Sequence, residues 1–83
     1  MSITDQKIPL EVLPLDALAA NEFGRINLVD GEEKSVQRLA EMGLREGVTL
    51  RMIRPGEPSI VALGDQRLSV RLDAETVILV ETK

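Results

Sequence analysis

Fourteen carboxylates and ten lysine or arginine side chains supply almost all the reactive chemistry open to this 83-residue chain, which has no histidine, cysteine or tyrosine. Proton transfer near neutral pH falls mainly to imidazole, and nucleophilic attack to thiolates or to hydroxyls beside a base. The four serines have no base signalled nearby, and Lys7, Lys34 and Lys83 stand in polar settings that keep an ammonium charged. Two tight acidic pairs remain, Glu32 with Glu33 and Asp73 with Glu75. Both fall where helical turns are expected to begin, and negative charge there complements the helix dipole. The inventory argues against an enzyme, and no catalytic residue is assigned.

Metal and phosphate chemistry fare no better. A strong transition-metal site draws on imidazole or thiolate, and both are missing. Asp30, Glu32 and Glu33 offer only a weak hold on a cation, and their spacing is not that of a calcium loop. Gly43 and Gly47 lack the spacing of a phosphate-binding loop and close a helix, whereas such a loop opens one. No metal site and no cofactor are therefore expected. A net charge of −4 opposes phosphate backbones and anionic lipid, and a single aromatic, Phe23, provides no stacking platform for bases. Arg51, Arg54, Arg67 and Arg71 could gather on one face of a sheet, where a solvated outer surface accounts for them without a ligand.

The elements that must carry these groups are short. With 43% hydrophobic residues and no cysteine, the chain makes one small domain without disulfide staples. Residues 1–8 read as a polar tail with no signal peptide, and the domain as 9–83. The longest apolar run, Val77 to Val80, is far too short for a membrane helix, so no membrane insertion is expected. Leu10 to Val12 alternate as a first strand that Pro14 should end, and Leu15 to Leu18 form a tight turn. Arg25, Ile26, Asn27 and Leu28 alternate in a half-buried strand reaching Val29. Asp30, with Glu33 three residues on, is a plausible helix N-cap, and Ser35 is the alternative. Strands are then expected at Val48 to Ile53, Ser59 to Leu63 and Leu68 to Leu72, with a tight hairpin at Gly64-Asp65. Asp73 should cap the single turn Ala74-Glu75-Thr76 ahead of the last strand. Strands and turns at these intervals predict a small, mostly β closed barrel of five or six short strands.

The densest signal is Arg38-Leu39-Ala40-Glu41-Met42-Gly43-Leu44-Arg45-Glu46-Gly47. Val36, Leu39 and Ala40 make one apolar helical stripe. Gly43 can close that helix in a left-handed conformation, with Leu44 folding back on Leu39. Gly47 gives a second turn before Val48, Leu50 and Met52. Arg-Leu-x-Glu-Met-Gly-Leu-x-x-Gly followed by a strand resembles the signature of the FeoA family, small cytoplasmic proteins of bacterial ferrous iron uptake. Arg54, Pro55 and Pro58 resemble the family's proline-bearing loop. Leu68 through Arg71 with Ala74 resemble its following strand and turn, and Leu15, Leu18, Phe23, Gly24 and Ile26 its opening. The loop Pro55 to Pro58 is shorter than the family often has.

The resemblance implies an SH3-like barrel with one α-helix inserted after the second strand. It also implies a non-enzymatic, cytoplasmic accessory protein that docks on FeoB, the membrane ferrous iron transporter with a cytoplasmic GTPase domain. The surface nominated for docking is the helix and its exit turn: Arg38, Glu41, Met42, Leu44 and Arg45. Met42 lies off the apolar stripe, which leaves two alternatives, an exposed partner contact or a plug in the barrel end. Arg38 and Glu41, as i, i+3 neighbours, could also pair with each other. Two rival readings follow from the same barrel: a detached regulatory module like the C-terminal domain of iron-dependent repressors, or a generic protein-interaction barrel. Peptide grooves of the generic kind are lined by aromatics, which this chain lacks.

Overall fold

The computed structural model describes residues 11–82. The tail at 1–8, the domain start at 9, Leu10 and Lys83 lie outside them. Six strands form one antiparallel sheet: β1 (Glu11–Pro14), β2 (Phe23–Asp30), β3 (Thr49–Arg54), β4 (Ser59–Leu63), β5 (Gln66–Val70) and β6 (Val77–Thr82), in the order β1-β6-β2-β3-β4-β5. A 3₁₀ turn, Leu15–Ala17, joins β1 to β2, and the helix α1 (Glu33–Glu41) is inserted between β2 and β3. Leu15 and Leu18 from the turn, Leu39 and Leu44 from the helix and its exit, and inward residues of β2 to β6 all meet in one buried cluster. A sheet whose strands share a single core must curl around it, and the fold is an SH3-like barrel.

Pro14 ends β1 as expected, as its last paired residue, opposite Leu79. At a sheet edge the missing N–H of proline need not cost a ladder bond. Leu28 was expected inside with Ile26, yet the register slips between them, so Ile26 pairs with Val80 and Leu28 with Leu79. That bulge turns Leu28 outward, 39% exposed, and brings Val29 against the core in its place. Asp30 and Ser35 do not cap the helix. Asp30 ends β2 opposite Val77, and the N-cap is Glu32, which makes no side-chain cap bond.

A second slip, between Met52 and Arg54, lets β3 keep Leu50 and Met52 buried while Arg54 pairs with Ile60. The hairpin at Gly64-Asp65 forms as expected, with Leu63 paired to Gln66. Gly24 lies where β2 crosses β6 closely. A Cβ there would sit 3.0 Å from Val80 Cβ and 3.2 Å from Leu18 Cδ1, so a side chain must push the core apart.

Candidate docking surface

The exit of α1 is fixed by hydrogen bonds rather than by side-chain bulk. The Leu44 N–H donates to the Leu39 carbonyl (2.9 Å) and the Gly43 N–H to the Ala40 carbonyl (3.0 Å), the paired bonds of a Schellman closure. Gly43 takes φ +100°, which an L side chain resists, and a Cβ there would meet Leu63 Cδ1 at 3.1 Å. Leu44 then drops into the core beside Leu39. The chain turns again at Gly47, whose N–H donates to the Ile26 carbonyl (2.8 Å), while the Ile26 N–H donates to the Val48 carbonyl (2.8 Å). The exit turn is thus bonded to β2 on one side and packed against β4 on the other.

This geometry sorts the nominated residues. Arg38, Glu41 and Arg45 are exposed. Met42 is half-buried and packs against the core, so the plug accounts for its inner part and a rim of it stays accessible. Leu44, nominated with them, is only 1% exposed and serves as cap and core, so it presents no surface for contact.

Beside the helix runs a groove of about 320 Å³ lined by Ser35, Arg38, Leu39, Arg71, Leu72, Asp73 and Thr76. Asp73 is the most heavily bonded of these. Its Oδ1 accepts from the Thr76 hydroxyl (2.6 Å) and the Glu75 N–H (3.0 Å), and its Oδ2 from the Ser35 hydroxyl (3.2 Å). The Thr76 hydroxyl, then the Glu75 amide, hold the Asp73 carboxyl below the usual carboxylate range; the Ser35 hydroxyl adds to this. Asp73 therefore caps its own turn, as its sequence position predicts, and also ties that turn to the helix.

Of the four arginines expected on one sheet face, Arg51, Arg54 and Arg67 share it, while Arg71 follows β5 and lines the groove instead. Register places Phe23, Arg51, Ala62 and Arg67 in one row across four strands, and Arg54, Ile60 and Ser69 in the next. Among the described residues, no group of three or more His, Cys, Asp or Glu side chains converges as metal ligands would. Nor is any helix among them long and apolar enough to cross a membrane.

A family model for the FeoA domain matches residues 13–82, nearly all of the described chain. The chain belongs to the FeoA family. A crystal structure described as an iron uptake regulatory protein (FeoA) superposes with a TM-score of 0.74, covering 86% of this chain and 99% of that one at 24% identity, a likeness of fold. No curated protein matches the chain.

In this FeoA chain the sequence signature and the structural cap are the same ten residues. What the sequence did not disclose is the groove. Arg71 read as one more outward residue of a strand, and Ser35 as a spare N-cap, yet the fold sets both along one cleft with Arg38. The Ser35 to Asp73 bond joins residues 38 positions apart, and no local pattern encodes such a contact.

Proposed function

We propose that this chain is a cytoplasmic, non-enzymatic accessory protein of bacterial ferrous iron uptake, docking on the cytoplasmic part of the FeoB transporter. The observation that carries the reading is the FeoA family match over residues 13–82. The docking surface is the end of α1 and its exit turn, with Arg38, Glu41 and Arg45 as exposed contacts and the rim of Met42 as the apolar one. Support comes from rigidity. Gly43 and Leu44 bond the turn back to the helix and Gly47 bonds it to β2, so a partner gains charged contacts without having to order the backbone beneath them.

Tagged parent and variants, incubated with purified FeoB cytoplasmic domain, test the surface. Charge reversal at Arg38 and Glu41 together, or Met42→Asp, should weaken capture about tenfold or more. Glu11→Lys on β1 should not. Melting curves separate interface loss from unfolding, because an aspartate at half-buried Met42 lowers stability by itself. Helix variants that fold and bind like the parent move the docking surface elsewhere.

A further inference from the structure

The outer face of β3 to β5 is a cationic wall on an acidic protein. These three strands contain no Asp or Glu at all, while the whole chain carries a net charge of −4. Arg51 and Arg67 flank Ala62 in one row, and Arg54 stands over Ile60 in the next. Acids stand around it, Glu57 before β4, Asp65 in the hairpin, and Glu22 and Glu81 beside Phe23. Cross-strand from Arg51 stands Phe23, the chain's one aromatic residue, 62% exposed. The Asn21 side-chain carbonyl accepts from Arg51 Nη1 (3.1 Å), which anchors that guanidinium.

We propose that this wall binds an acidic segment of a protein partner that interleaves carboxylates with apolar side chains. Arg51 and Arg67 stand two strand spacings apart, about 10 Å, and would each take a carboxylate. Phe23, on the far side of Arg51, and the half-buried Ile60 in the next row would take the neighbouring apolar side chains. A large exposed apolar side chain at the edge of a cationic surface is the composition of a protein contact, where an anchor and flanking charges act together. Extended polyanions fit less well. A nucleic acid or an anionic bilayer reaches past the wall and meets the acidic remainder of the surface, whereas a short segment stays within the ~8 Å over which charges act at physiological salt. This surface is separate from the helix exit, and its test does not depend on FeoB.

Random peptides displayed on phage, selected against the immobilised full chain, provide the probe. Recovered peptides should interleave Asp or Glu with apolar residues. A fluorescein-labelled recovered peptide should bind the Arg51→Glu/Arg67→Glu variant at least ~10-fold more weakly, and Phe23→Ser several-fold more weakly, with binding falling as salt rises. Should the double variant misfold, the single exposed change Arg67→Ala gives the same direction. Selection without acidic enrichment, or binding indifferent to these changes, overturns the proposal. So does tighter binding of oligothymidylate or phosphatidylglycerol vesicles through the same arginines, which reassigns the wall to a polyanion. Self-association lost in the double variant reassigns it to a second copy of the chain.

Discussion

Replacing Gly43 by valine should be among the most damaging single changes outside the buried core. The backbone there sits at φ +100°, and the left-handed side of φ/ψ space costs an L residue roughly 1–2 kcal/mol, more with a β-branch. The added Cβ also lands 3.1 Å from Leu63 Cδ1. That methyl group ends a flexible side chain and can retreat a few tenths of an ångström, so the contact adds less than the backbone does. The sum is about 2 kcal/mol, and for a domain of this size each kcal/mol lowers the melting temperature by roughly 4–8 °C. Gly43→Val should therefore melt about 8–16 °C below the parent by far-UV circular dichroism. Gly43→Asn, which tolerates positive φ better, should fall between them. Equal midpoints for Gly43→Val and the parent would refute the left-handed cap.

Other outcomes follow from the same geometry. Leu44→Ala should cost about 2–5 kcal/mol in urea denaturation while Arg45→Ala stays within about 0.5, since one side chain is core and the other surface. Gly24→Ala should destabilise despite its small size, because Val80 Cβ lies 3.0 Å from the new methyl group; an unchanged midpoint would mean that β2 and β6 can part there. Asp73 has a folded-state pKa below its unfolded one, so its contribution is present above the ordinary carboxylate value near ~4 and is lost as pH falls through the lowered value. The stability gap between parent and Asp73→Ala should therefore shrink on acidification, and a constant gap would contradict the capping role. Anaerobic calorimetry with ferrous iron should give no one-to-one micromolar isotherm, and finding one would make the acidic clusters a metal site.

Local patterns in the sequence made most of the barrel legible. The two-residue period marked β3 to β5, the Gly64-Asp65 hairpin set one register, and the Gly43-Leu44 pair announced a helix end that the hydrogen bonds reproduce. Misreadings arose where two strands decide jointly what one cannot. Leu28 has the right spacing to follow Ile26 inside, but a bulge against β6 spends one residue and reverses the face. Asp30 has the chemistry of an N-cap, yet pairing with Val77 keeps it in the strand. Leu44 illustrates the same limit for the site. Its place in the signature suggested contact with a partner, whereas closing the helix requires it to be buried.

The most direct test of the docking role is an isothermal titration of the purified chain into the FeoB cytoplasmic domain, run beside the folded Arg38→Glu/Glu41→Lys variant. The account predicts saturable binding by the parent and about tenfold weaker binding, or none detectable, by the variant. Saturable binding of equal strength by both would contradict the assignment of the helix exit as the docking surface, and no binding by the parent would contradict the accessory role itself.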